Sequence, residues 1–263
     1  MLALCEDLPG LFQEEVLKRW LDPTDIALLA RVSKSFKEAV VASGLPLVRP
    51  RLKVKDFVGS VERLAWAKAN RCPWHERTCA QAAKGGHLKV LRWARENDCP
   101  WNWLTCAWAA LSGHLEVLKW AREHECPWDT KTCEGAAEGG HLEILKWARE
   151  RNCPWDERTC TTAAAGGHLE LLKWARDHGC LWDVWTCRNA ARVGNLEVLK
   201  WLREHNCPWD ERTCSHAALC GHLEVLKWAR EHDCPWNRMT WVLATRNGHH
   251  ELAAWAQENG CPI

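Results

Sequence analysis

The chain has 263 residues and carries 35 Lys+Arg against 34 Asp+Glu, a formal net charge of +1 at pH 7. That balance provides no global field to draw the protein onto nucleic acid or an acidic membrane, so partner choice must rest on local patches. No 18-residue apolar run occurs, and Met1-Leu2-Ala3-Leu4-Cys5-Glu6-Asp7 lacks the basic start and the apolar length of a signal peptide, so a soluble chain of the cytoplasm or nucleus is expected.

In chain order, residues 1–44 read as a small helical segment. Residues 8 to 40 contain Leu8-Pro9, Val16-Leu17, Leu21-Asp22-Pro23-Thr24-Asp25-Ile26, Leu28-Leu29 and Val32-Ser33-Lys34-Ser35-Phe36. This succession resembles the L-P, I-L, L-D-P-x-D-L, L and V-S-K-x-W of the F-box family, with one residue inserted at Gly10-Leu11-Phe12 and Phe36 in place of Trp. The resemblance implies docking to a Skp-type adaptor through Leu8, Pro9, Val16, Leu17, Leu21, Pro23, Ile26, Leu28, Val32 and Phe36. The same apolar residues also suit an amphipathic cap on the array that follows, and both readings stay open. Residues 45–56 form a linker, in which Pro46 and Pro50 stand among Arg49, Arg51, Lys53 and Lys55 as a solvated tether.

From residue 57 onward the chain repeats itself. Trp66, Trp93, Trp120, Trp147, Trp174, Trp201, Trp228 and Trp255 follow one another at 27 residues, and a second ladder runs Trp74, Trp101, Trp128, Trp155, Trp182, Trp209 and Trp236. A period in this range marks units that bury their apolar faces only by stacking on neighbours. The expected fold is therefore an all-α solenoid, with a leading half-repeat and seven 27-residue repeats over 57–263.

One unit, Cys153 to Gly179, reads as two short helices. Asp156 occupies a slot held elsewhere by His75, Asn102, Asp129, Asp183, Asp210 and Asn237, a run of good N-caps that opens the first helix. Gly167 closes it, and His168 stands where the cap of the second helix is expected. Gly179, with Pro two residues later in most copies, ends the second helix. Cys160, Ala163, Ala164 and Gly167 fall at i, i+3, i+4 and i+7, one inward face of small residues. Leu169, Leu171, Leu172, Trp174 and Ala175 are expected inward on the second helix, leaving Glu170, Lys173, Arg176 and Asp177 for solvent.

The run T-C-T-T-A-A-A-G-G-H-L-E-L-L-K-W-A resembles the T-P-L-H-x-A-A-x-x-G-H-L-E-V-V-K-x-L of ankyrin repeats. Here Cys or Trp replaces the family's Pro, and the unit is shorter, with Cys-Pro-Trp leaving little room for the family's β-hairpin finger. The resemblance implies a nearly all-helical, fingerless array whose first-helix surface binds proteins.

Several sharper readings fall away. Burying one Trp removes roughly 150 to 250 Å² from water, about 4 to 6 kcal/mol at ~25 cal/mol/Å², so both Trp ladders are expected in the core. Equivalent cysteines of successive units should stand roughly 8 to 10 Å apart, beyond the ~7 Å reach of a disulfide. The 16 cysteines are accordingly read as small buried hydrophobes. Cys72, Cys79 and His87 have neither the spacing nor the fourth ligand of a structural zinc site. His250-Glu251 begins like a zincin motif, but Ala254 stands where its second histidine is required. No P-loop, dinucleotide-binding glycine motif or nucleophile elbow occurs, so neither an enzyme nor a cofactor or metal is expected.

The informative positions are those that differ between units, an i, i+4, i+7 stripe on the first helix. Two units stand out. The second offers Trp103, Leu104, Trp108 and Leu111, and the fifth offers Val184, Trp185, Arg188, Asn189 and Arg192. Aromatic residues and Arg on a polar surface are the usual anchors of a protein interface. The sequence thus predicts a monomeric, non-enzymatic interaction protein that captures a protein partner, tethered to a ubiquitin ligase if the N-terminus is an F-box, or a simple binding scaffold if it is a cap.

Overall fold

The structure, a computed structural model, describes residues 57–69 and 74–263. The F-box-like residues from Leu8 to Phe36 and the linker lie outside the described residues. The chain divides into two compact units, Met1–Pro73 and Trp74–Ile263. The leading half-repeat therefore belongs to the first unit. Its described part is a turn followed by helix α1 (Val61–Ala69), where Ser60 Oγ accepts from the Arg63 N–H at 3.2 Å and Phe57 stacks on Trp66 at 5.7 Å.

The second unit consists of seven helix pairs, and no strand occurs among the described residues. The first helices are α2 (Glu76–Lys84), α4 (Trp103–Leu111), α6 (Thr130–Glu138), α8 (Glu157–Gly166), α10 (Val184–Val193), α12 (Glu211–Leu219) and α14 (Arg238–Arg246). The second helices are α3 (Leu88–Glu96), α5 (Leu115–Glu123), α7 (Leu142–Glu150), α9 (Leu169–Asp177), α11 (Leu196–Glu204), α13 (Leu223–Glu231) and α15 (His250–Glu258). Helices of nine or ten residues are too short to persist alone in water, so stacking must hold them.

The caps explain why the pairs form where they do. Asn102, Asp129, Asp156, Asp183, Asp210 and Asn237 each accept, at 2.9 to 3.1 Å, from the backbone N–H two residues on. His75 makes no such bond. At the far end of each second helix the chain turns through a left-handed residue, Gly179 (φ +83°) in one unit and Asp98, Glu125, Asn152, Asn206 or Asp233 (φ 59° to 63°) in others. The N–H of the next cysteine then returns to a helix carbonyl, as Cys153 does to Ala148 at 3.0 Å.

Successive units approach most closely through their first helices. Ala109, Ala110, Ala136, Ala137, Ala163, Ala164 and the helix cysteines are fully buried there. At Gly135 the approach leaves no room for a side chain, since a Cβ would lie 2.7 Å from the Ala107 carbonyl oxygen of the preceding first helix. The second helices contribute a row of fully buried leucines, Leu91, Leu118, Leu145, Leu172, Leu199 and Leu226.

The Trp ladders are not the core. All fifteen indoles are half-buried, while the fully buried volume is Leu, Ala and Cys. Each turn tryptophan meets the second-helix tryptophan of its own unit edge to face, as in Trp128–Trp147 (6.0 Å) and Trp155–Trp174 (6.1 Å). The other face of the turn indole carries an Arg of the preceding unit: Arg122 lies 4.2 Å above Trp128, and Arg149 lies 4.2 Å above Trp155. The same guanidinium donates to the carbonyl of the turn cysteine, Arg122 to Cys126 and Arg149 to Cys153. The periodic Trp is therefore half of an Arg–Trp–Trp zipper on the second-helix side, where one face of the ring stays near water to keep its cation. Leu169, also expected inward, is likewise half-buried.

The histidine that follows each first helix has a different role from a cap. His168 makes no capping bond. Its Nε2 lies 3.2 Å from the Glu138 carbonyl of the preceding unit, and because a carbonyl only accepts, Nε2 is the protonated nitrogen. His114, His141, His222 and His249 repeat the bond to Lys84, Leu111, Arg192 and Leu219. Each staple satisfies a carbonyl left over at a helix C-terminus. Asn195 in that slot behaves as expected, accepting from the Val198 N–H at 3.0 Å, as does Ser60 ahead of the first helix pair.

Candidate partner-binding surface

The stripe of variable residues is displayed on the first helices, but unevenly. Its first position points outward in Arg77, Arg158, Trp185, Arg212 and Met239, and its middle position is wedged against the neighbouring helix. Thr162 shows why, since its Oγ1 donates back to Arg158 O at 2.8 Å and also lies 3.4 Å from the Glu134 carbonyl of the preceding unit.

In the second pair, Trp103 is exposed, whereas Leu104, Trp108 and Leu111 are half-buried. Lys84 Nζ stands 5.6 Å from the Trp108 ring centroid. Trp108 is therefore part of the packing between pairs as much as of the surface.

In the fifth pair the geometry is more specific. Trp185 is 46% exposed although it sits in the first turn of α10. Beneath it Arg188 is only 6% exposed, so Arg188 is not the surface anchor expected of it from the sequence. Its Nε donates to Asp210 Oδ1 at 2.9 Å and its Nη2 donates to Asp210 Oδ2, a two-pronged ion pair across the unit boundary. The guanidinium carbon stands 4.6 Å from the Trp185 ring centroid, and His216 lies 6.4 Å away on the next unit. The Arg188 guanidinium beside Asp210 holds that carboxyl below the usual carboxylate range, and burial keeps His216 below the usual histidine range. The indole thus rests on a charged clamp whose net charge is zero. Val184 and Asn189 are half-buried; Arg192 is exposed and donates to Asn189 Oδ1 at 3.2 Å.

Two features escaped the sequence reading. Val193, 38% exposed, extends the apolar edge of this patch because α10 runs one residue longer than most first helices. The Arg188 slot holds Ala80, Ala107, Glu134, Thr161, Ser215 and Val242 in the other units, so an Arg there needed a partner, and the Asp N-cap of the next unit is the acid that stacking brings to it.

The second-helix side carries a crevice of about 320 Å³ lined by Lys119, Arg122, Glu123, Trp128, Trp147 and Arg151. Its cations are already engaged: Lys119 with Glu116 at 2.8 Å, Arg122 on Trp128, and Arg151 with Glu150 at 3.6 Å and over Trp147 at 4.5 Å. Among the described residues no group of three or more His, Cys, Asp or Glu is placed to hold a metal ion, and no helix is long and apolar enough to cross a membrane.

Fold and surface together define an all-helical repeat solenoid with a uniform packing interior and a variable first-helix face. No protein-family model matches the chain, and a search of curated proteins finds no match.

Proposed function

We propose that this protein is a non-enzymatic interaction protein, an ankyrin-like array that captures a protein partner on its first-helix face, acting as a monomer without a cofactor. The observation that carries the reading is Trp185, a large aromatic 46% exposed and immobilised from below by Arg188–Asp210. An exposed indole held against the buried Arg188 guanidinium loses little conformational freedom on binding, which is the property of an interface anchor. The sequence resemblance to ankyrin repeats supports the same face. The F-box-like residues at the N-terminus support a link to a Skp-type adaptor, which would make the array the substrate-recognition part of a ubiquitin ligase in the cytoplasm or nucleus.

The test pairs recovery of partners with stability. Replacing Trp103 and Trp185 with Ser is expected to abolish partner recovery in a proximity-labelling experiment and leave the melting temperature nearly unchanged, since surface substitutions change stability by less than about 0.5 kcal/mol. Unfolding of the double variant, or recovery equal to wild type, would overturn this surface. A Skp-type adaptor recovered with the wild type and lost on Leu8→Ala/Pro9→Ala supports the ligase link. Its absence leaves a binding scaffold.

A further inference from the structure

Each boundary between successive pairs contains two buried thiols from non-equivalent positions. The first helix supplies one, and the turn twenty residues later supplies the other: Cys79 with Cys99, Cys106 with Cys126, Cys133 with Cys153, Cys160 with Cys180, Cys187 with Cys207 and Cys214 with Cys234. All twelve are fully buried. In five pairs the helix thiol lies 3.8 to 4.0 Å from the turn cysteine's own carbonyl oxygen. In all six the neighbouring thiol, followed by burial, pushes the helix thiol up. The separation of roughly 8 to 10 Å expected between equivalent cysteines of successive units does not apply to these non-equivalent pairs.

Beside each pair stands a cation. Arg95, Arg122, Arg149, Arg176, Arg203 and Arg230 donate to the carbonyls of Cys99, Cys126, Cys153, Cys180, Cys207 and Cys234. The charge of each also favours the ionised form of the helix thiol. Two soft sulfur donors, a nearby positive charge and no third ligand form a chemically specific set. Zinc needs four donors and is refused. Thiolate sulfur instead selects soft monovalent copper.

We propose that each thiol pair is a two-coordinate site for a soft monovalent cation of the Cu(I) class, so that the array takes up six such ions. Binding forms two sulfur–metal bonds and releases the two thiol protons to solvent; no electron moves. The resulting bis-thiolate complex has a charge of −1, which the adjacent guanidinium neutralises. Entry requires local opening of a boundary, because the sulfurs are closed to solvent. The seventh pair serves as an internal control: Trp241 replaces the helix cysteine and Cys261 has no thiol partner there, although its Sγ keeps the contact with the N-cap carbonyl, Asn237 at 3.5 Å, that the turn cysteines of the six paired boundaries also make.

The experiment titrates the full-length reduced protein anaerobically with Cu(I) against bathocuproine disulfonate and measures retained copper after desalting. Six equivalents above any held by Cys5, Cys72, Cys220 and Cys261 are expected, with a two-sulfur shell by X-ray absorption, a raised melting temperature and no retention of Zn(II). Cys133→Ala and Cys153→Ala, on different elements, should each lose one equivalent, and the double variant should lose the same single equivalent; Cys220→Ser should not alter that pairing. Copper removed entirely by the chelator, a stoichiometry untouched by both single variants, or a double variant that loses two equivalents would overturn the proposal and leave the thiols as packing groups.

Discussion

Trp185 keeps its ring in solvent because a charge pair, rather than apolar core, lies under it. Asp210 both caps α12 and receives the Arg188 guanidinium. Asp210→Asn separates these roles, since Asn caps the equivalent helices at Asn102 and Asn237 but brings no charge. Leaving Arg188 buried and unpaired should cost somewhat less than the roughly 3 to 5 kcal/mol of a fully buried pair, because the carboxylate is 26% exposed. The sign with pH follows from the depressed Asp210 carboxyl. The stability gap between wild type and variant is full above the unfolded value of about 3.9 and closes as pH falls through the lower folded value. Denaturant melts of both proteins at pH 7 and pH 3 decide it; a gap that persists unchanged at pH 3 would count against the ion pair.

At the same scale the Trp ladders show where sequence reasoning stops. Their period was legible, and their depth was not: a 27-residue repeat reports that a residue is required in every unit, without distinguishing a core position from a ring clamped between an Arg and another ring. Leu172→Ala should therefore cost about 2 to 5 kcal/mol, Trp174→Ala less than Leu172→Ala, and Lys173→Ala within about 0.5 kcal/mol of wild type. Calorimetry on the three variants checks the order. Trp174→Ala as the most damaging would return the ladder to the core.

Among elements, the caps, the helix pairs and the lack of strands among the described residues followed from Asp or Asn slots, closing glycines and the short Cys-Pro-Trp turn. The histidine was misread because its partner lies thirty residues back in another unit, a distance that local patterns do not register. Its ring packs on a left-handed glycine of that unit, where a Cβ on Gly140 (φ +73°) would stand 2.5 Å from the His168 ring. Gly248 (φ +77°) shares the backbone conformation, but nothing lies within 4 Å of its added Cβ. Gly248→Ala should therefore carry only the left-handed penalty of about 1 to 2 kcal/mol. Gly140→Ala should cost about 1 kcal/mol more, from the lost staple, and that excess should vanish in a His168→Ala background. Equal melting temperatures for the two glycine variants would show that the staple contributes nothing.

For the whole molecule, the repeat separates two kinds of surface. Positions that recur, the Leu row, the thiol pairs, the Arg–Trp–Trp zipper and the His staples, are used in stacking. Positions that vary are left to the first-helix face, and there the sequence singled out the fifth unit but could not show that Arg188 is consumed by Asp210, because that requires the register between neighbouring units. The central claim is that the variable face binds and the zipper face packs. Hydrogen–deuterium exchange on the protein alone and with its recovered partner tests this most directly. The account expects added protection in the first-helix segments, greatest across 184–193 and 211–219, with the second helices unchanged. Protection confined to the second helices and the Cys-Pro-Trp turns would contradict it.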